Sequence, residues 1–241
     1  MKKTNRHGHT RWLALVIITA LVITLGATRP VADSTEAGRR VEEAIRVFQE
    51  IADLTEEEIP ESILRKAHGI AIIPGVVKAA YGIGGEYGRG VLLVRDKGVW
   101  SNPSFVILAG GSLGWQIGIQ KSDLVLVFKT RQSIDDIAEG KITLGADASV
   151  AAGPVGRGAQ ASTDLDMKAE IYAYSKSKGL FVGISLKGAA IQIDGQANRD
   201  YYENPDISAR EIFSNPDLRA PQSAERLRQL LGKFIRREIS L

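Results

Sequence analysis

From Ser34 onward the apolar residues Ala37, Val41, Ala44, Ile45, Phe48, Ile51 and Ala52 recur every three or four positions. Arg39, Arg40, Glu42, Glu43, Arg46, Gln49 and Glu50 fill the positions between them. This spacing predicts an amphipathic helix over 35–53 whose apolar stripe covers a core. Thr55, a run of acids and Pro60 restart a short helix that reaches Ala67, and Gly69 stops it. Beyond Gly69 the helical period disappears. Runs of Val, Ile, Leu and aromatic residues alternate with Gly, Asp-Lys-Gly and Ser-Asn-Pro punctuation, and 19 of the 25 glycines lie between Gly82 and Gly195. A helix would lose about 1 kcal/mol at each such glycine relative to Ala, whereas coiled strands use them at bends and close backbone contacts.

The pattern predicts strands at 70–73, 78–86, 89–95, 99–101, 104–110, 113–120, 123–129, 141–152, 158–163, 167–176 and 179–193. Arg95-Asp96-Lys97-Gly98 and Ser177-Lys178-Gly179 read as hairpin turns, and the close spacing implies antiparallel neighbours. Ser133 to Gly140 reads as a helix of one to two turns with a Ser cap and a Gly stop. Pro221 to Ile239 sets Leu227, Leu230, Leu231, Phe234 and Ile235 on one face, flanked by Arg226, Arg228, Lys233, Arg236 and Arg237. That basic amphipathic helix either packs on the β domain with its cations in water or lies on an anionic membrane surface. The expected fold class is α+β: a curved antiparallel sheet or barrel-like β domain with N-terminal helices and a C-terminal amphipathic helix.

The first 32 residues change where this domain is expected to work. Met1 to Arg11 is cationic, Trp12 to Ala27 is an uncharged run of 16 residues, and small and turn residues follow. Such a run spans about 24 Å as a helix, short of the ~30 Å hydrocarbon core, which favours a secretory signal removed near Ala27 or Ala32 over an uncleaved N-terminal anchor. Either way the folded part is expected to be exported to the periplasm or cell envelope. The formal charge of +3 and pI near 9.1 belong to this leader: it carries Lys2, Lys3, Arg6, Arg11 and Arg29, leaving 26 basic against 28 acidic residues in the rest. Global charge therefore gives no case for nucleic acid.

Candidate chemistry is sparse. With no cysteine there is no disulfide, thiol nucleophile or Cys-ligated zinc. His7 and His9 sit in the leader, so His68 is the lone histidine of the remainder, too few for a His-rich metal site or a supported triad. YGIGGEYGRG (81–90) lacks G-x-G-x-x-G spacing and leads into a strand, so no helix N-terminus awaits a phosphate. In AAGPVGRG (151–158) Arg157 is placed to contact an anion or a neighbouring carbonyl. Asp164, Asp166 and Glu170 share strand parity, the pattern a general acid/base pair would need, yet nothing marks them as buried or tuned. Calcium on these oxygens would lack its usual loop spacing. No enzyme activity, metal or cofactor is expected.

Five stretches, RKAHGIAIIP (65–74), GGEYGRGVLLVRD (84–96), GVWSNPSFVILAGGSLGWQIGIQKSDLVLVF (98–128), LGADASVAAGPVGR (144–157) and YSKSKGLFVGISLKG (174–188), together resemble the SYLF-domain family. The resemblance spans roughly 35–203, so the expected organisation is a leader (1–32), a SYLF-like domain (33–203, with helices in 35–67 and the β region in 69–195) and a C-terminal helical extension (204–241). It implies a non-enzymatic module that binds membrane lipids, phosphoinositides in eukaryotic members, with actin a partner of some relatives. For an exported chain it implies phospholipid or membrane-surface binding in the envelope. The rival expectation is a structural or protein-interaction module whose C-terminal helix docks an envelope protein. The family's lipid contact involves basic residues and the helix before the β region, but in helix 35–53 the four glutamates Glu36, Glu42, Glu43 and Glu50 outnumber the three arginines Arg39, Arg40 and Arg46. Candidate lipid-contacting residues are Arg157 together with Tyr172, Tyr174, Lys176, Lys178 and Phe181 around the YSKSKGLF turn.

Overall fold

The computed structural model describes residues 35–52, 59–155, 168–178, 180–181, 185–215 and 217–236. In chain order the elements are α1 (Glu36–Ala52), α2 (Glu61–Arg65), β1 (Gly69–Asp96), β2 (Val99–Trp100), β3 (Ser104–Phe128), α3 (Gln132–Glu139), β4 (Lys141–Thr143), β5 (Val150–Ala152), β6 (Ile171–Ser177), β7 (Leu180–Phe181), β8 (Ala189–Ile193), α4 (Gly195–Tyr202), α5 (Ala209–Ser214) and α6 (Gln222–Arg236). The class is α+β, as the pattern of the sequence implies.

Two very long strands dominate. β1 and β3 pair antiparallel from Gly69 opposite Phe128 to Leu92 opposite Ser104, with irregularities between Ile73 and Val76 and between Ala80 and Gly82. The three strands expected in 69–96 are thus one, as are the three expected in 104–128. The expected break at 74–77 survives as a bulge, while 87–88 and 111–112 are continuous ladder. Twenty-eight extended residues would reach about 90 Å at ~3.3 Å each. Yet the Arg95 amide donates to the His68 carbonyl at 2.8 Å, and the His68 amide to the Phe128 carbonyl at 2.8 Å. β1 therefore coils until its two ends meet, and the sheet becomes a strongly curled half-barrel.

Glycine permits that crossing. A Cβ on Gly90 would lie 2.1 Å from the Ile72 carbonyl oxygen, a distance no side chain tolerates. The turn after β1 has Lys97 and Gly98 as its two central residues, both at positive φ (47° and 85°), between the pairs Asp96–Val99 and Arg95–Trp100. This is the primed turn whose twist suits a two-residue hairpin.

β6 extends the sheet beside Asp123–Phe128 of β3, and β8 beside Val106–Gly110, with β4 outside β8. One pairing departs from the antiparallel expectation: β5 runs parallel to β6, Val150 opposite Ile171. Residues 153–170 separate those strands, enough chain for the crossover a parallel pair requires. The expected strand 158–163 lies outside the described residues. The expected strands 141–152 and 179–193 each divide in two, because Thr143–Ala148 and Leu186–Ala189 form hydrogen-bonded turns.

The helices close the half-barrel. Val41, Ala44, Val47, Phe48 and Ile51 of α1 are buried against the sheet, and Ala224, Leu227 and Leu231 of α6 are buried in the same core. The Phe48 and Phe234 rings meet edge-on at 5.4 Å, and Arg226 pairs with Glu42. Residues after Asn204 thus pack into the one core, and the apolar face of α6 is used internally. Ser133 is not the cap of α3. The N-cap is Arg131, and the Ser133 hydroxyl lies 3.1 Å from that of Thr130; Gly140 ends the helix as expected.

Candidate functional site

Two regions concentrate charge and exposed apolar surface. The first is where β6 and β7 turn beside Lys121–Asp123 of β3. Lys176 stands opposite Asp123, the Ser177 hydroxyl donates to the Lys121 carbonyl at 3.0 Å, and Lys178 occupies the turn at φ 49°. Of the residues singled out in the YSKSKGLF segment, Tyr172 and Tyr174 are buried in the core, and burial pushes both phenols up from their usual range. The Tyr174 ring covers Gly153, where a Cβ would come within 2.1 Å of it. Lys176 is buried and holds α1: its Nζ donates to the Glu50 carbonyl at 3.2 Å and lies 3.7 Å from the Glu50 carboxylate. Lys178 is exposed. Arg157, with Asp164 and Asp166, lies outside the described residues, as does the side chain of Phe181.

Signals absent from the sequence pattern complete this region. Leu180 is 67% exposed and Ile119 is 82% exposed. On the β1–β3 ladder Ile119 stands opposite Ala79 and Lys121 opposite Val77, so these four share one face. Leu180 stands opposite Ser177, one position on from the Lys176–Asp123 pair, so it lies on the other face of the sheet from Ile119 and Lys121; each exposed apolar side chain is two residues from an exposed lysine, Ile119 from Lys121 and Leu180 from Lys178.

The second region is a cleft of about 290 Å³ between α1 and β1, lined by Arg39, Arg40, Arg89, Glu36, Val77 and Tyr87 among others. Beneath it, buried Arg40 donates to the Asp194 carboxylate at 2.7 Å. Arg40 therefore leaves the polar face assigned to it by helical spacing. Asp194 also caps α4 by accepting from the Ala197 amide at 3.1 Å. Burial pushes the Asp194 carboxyl up, but the Arg40 hydrogen bond, the Ala197 amide and the charges of Arg40 and Arg89 outweigh it and hold it below its usual value. Exposed Glu36 accepts from Arg40 at 3.1 Å and also pairs with Arg89, and its carboxyl is held down by that Arg40 bond and by Arg89.

The residues considered for acid/base work have structural partners where described. Glu170 accepts from the amide and hydroxyl of Ser149, at 2.8 and 3.2 Å, fastening β5 to β6. His68 is exposed, and its backbone closes the β1 coil. Among the described residues no group of three His, Asp or Glu side chains could hold a metal ion. No helix among the described residues is long and apolar enough to cross a membrane.

A curled half-barrel built on one coiled hairpin and clamped by an N-terminal and a C-terminal helix defines a compact α+β module. The family model described as Ysc84, "Las17-binding protein actin regulator", matches residues 109–234, and the chain belongs to this family, that of the SYLF domain. LAS seventeen-binding protein 3 of Saccharomyces cerevisiae is 39% identical over 180 residues, which is 73% of this chain and 39% of that protein. SH3 domain-containing YSC84-like protein 1 of Xenopus laevis is 37% identical over 178 residues, 73% of this chain and 52% of its own. Its namesake in Rattus norvegicus is 35% identical over 198 residues, covering 79% and 57%. The chain thus spans between two fifths and three fifths of the length of these relatives.

Proposed function

We propose that the chain is a non-catalytic binding module of the cell envelope that docks on an anionic phospholipid surface through the end of the sheet that carries Ile119 and Lys121 on β3 and Leu180 and Lys178 at the β6–β7 turn. The observation that carries this reading is two large apolar side chains left 82% and 67% exposed, each two residues along the chain from an exposed lysine. Apolar side chains entering the interface gain about 25 cal/mol per Å² removed from water, and each lysine near an anionic leaflet adds about 1 kcal/mol. Export rests on the cationic and then apolar pattern of residues 1–32.

Co-flotation with vesicles tests it, using residues 32–241, which form one compact unit. Flotation with phosphatidylglycerol vesicles, absent with phosphatidylcholine and suppressed by high salt, is the expected result. Charge reversal at Lys121 or Lys178 is expected to weaken partitioning about fivefold or more each. Leu180→Ser is expected to weaken it without changing its salt dependence. Absence of flotation with either vesicle type would overturn the reading.

A protein-interaction function is the second reading, and the names of the relatives favour it: LAS seventeen-binding protein in yeast and a family model worded as an actin regulator. With the apolar face of α6 buried, a protein docking there would have to read its polar face.

A further inference from the structure

The cleft between α1 and β1 supports an inference separate from membrane docking. Three arginines converge on it, and their charges are not used alike. Arg40 is buried, bound to Asp194 at 2.7 Å, and its guanidinium lies 5.9 Å from the centre of the Phe105 ring, so it belongs to the core. Arg89 is 40% exposed at its side chain, reaches Glu36 with one nitrogen and approaches Asp194 at 3.8 Å with another. Its Nε is buried and has no hydrogen-bond partner among the described atoms. A buried N–H without a partner costs free energy comparable to a lost hydrogen bond, so Arg89 is held less completely than Arg40.

Glu36 is the acceptor now seated on this pair. It is a carboxylate at the start of α1, more than half exposed, with no link to the core apart from the two arginines among the contacts described. Beside it, Val77 and Tyr87 stand 41% and 49% exposed on the wall of the same cleft.

We propose that the cleft is a seat for an acidic protein segment, in which a partner's carboxylate displaces Glu36 from Arg89 while a flanking apolar side chain covers Val77 and Tyr87. Three observations favour a carboxylate over a phosphate group. The seat is already filled by a carboxylate. The lining charges nearly cancel, Arg39, Arg40 and Arg89 against Glu36 and Glu43 with Asp194 below, which suits a monoanion and opposes a dianion. Free phosphate would leave the apolar wall uncovered. Glu36 then acts as a built-in competitor, and its loss should strengthen binding, whereas a merely structural ion pair would only be weakened.

The test is a nuclear magnetic resonance titration of residues 32–241 with the capped peptide Gly-Glu-Leu-Glu-Gly, against the same peptide with Gln for Glu. Shifts confined to amides of Val77, Tyr87, Gly88 and Arg89 are expected with the acidic peptide alone. Glu36→Gln should tighten binding several-fold, and Arg89→Gln should weaken it about tenfold. Arg39→Gln, a change at an exposed helix position, serves as a second variant should Arg89→Gln fail to fold, and should also weaken binding. Lys178→Glu should leave peptide binding unchanged, which separates this site from membrane docking. The proposal is overturned by unchanged or weaker binding in Glu36→Gln, by unaltered binding in a folded Arg89→Gln or Arg39→Gln chain, or by inorganic phosphate displacing the peptide at equal concentration.

Discussion

Glu86 is the clearest case of one residue at odds with its surroundings. It is 8% exposed on the inward face of β1, opposite Gly110, with Gly84 and Gly88 on either side along that face. Its Oε2 has no hydrogen-bond partner among the described atoms. Burial pushes its carboxyl up from the ordinary value of 4.5, and the charge of Lys78 only partly opposes this. Because the folded value is raised, the stability linked to its protonation is complete below the unfolded value and is lost as pH rises through the folded one. Glu86→Gln should therefore remove a decline in stability that sets in as pH rises above the ordinary value of 4.5, and should raise the unfolding free energy read from urea titration on the alkaline side by an amount on the order of 1–3 kcal/mol. An unchanged pH dependence in that variant would show that the carboxylate is solvated. In the sequence this glutamate lies within a glycine-rich segment with no local mark of its burial, since burial follows from the curl of the strand and not from local composition.

At the level of elements, alternation and turn chemistry located the strands but not their lengths. The breaks expected at 87–88 and 111–112, beside Gly88 and Gly111, are continuous ladder, because a pattern read along one strand cannot distinguish a terminus from a place where backbones come close. Gly90 and Gly118, both inside expected strands, differ in what surrounds them. Gly90→Ala would drive a Cβ into the Ile72 carbonyl and should cost about 3 kcal/mol or more, whereas Gly118, with nothing within 4 Å of its Cβ position, should accept Ala with a change within about 1 kcal/mol. Thermal melting of the two variants checks this, and equal stabilities would mean that the crossing is looser than described. α1 and α6 were legible because their apolar stripes face the core and run for several turns. α5 carries a readable mark in the sequence: Ser208 and Glu211 have the spacing of a capping box, and the Ser208 hydroxyl accepts the Glu211 amide at 3.1 Å. α4 begins at Asp194, whose importance lies in a partner 154 positions away, which no local pattern reveals.

That distant pair ties the whole molecule together, and its pH dependence runs opposite to that of Glu86. Arg40 on α1, Asp194 at the start of α4 and Arg89 on β1 join three elements that approach one another only in the folded chain. The folded carboxyl of Asp194 is lowered below its ordinary value of 3.8, so its contribution is present above that value and is lost as pH falls through the folded one. Acid therefore loosens the clamp of α1 on the half-barrel, while alkali charges Glu86 inside it. The two limbs should give a stability maximum in mildly acidic solution, with one loss on the acid side below the ordinary 3.8 of Asp194 and another that begins as pH rises above the ordinary 4.5 of Glu86. Asp194→Asn should flatten the acid limb and lower stability at the maximum by about 3 kcal/mol, since Arg40 is left buried with only exposed Glu36 as a carboxylate partner. Glu86→Gln should flatten only the alkaline limb, and the double variant should lose both independently. Urea titrations of the four proteins across both limbs measure it. An acid limb that persists in Asp194→Asn would place the pH sensitivity elsewhere than in the joint between α1, α4 and β1.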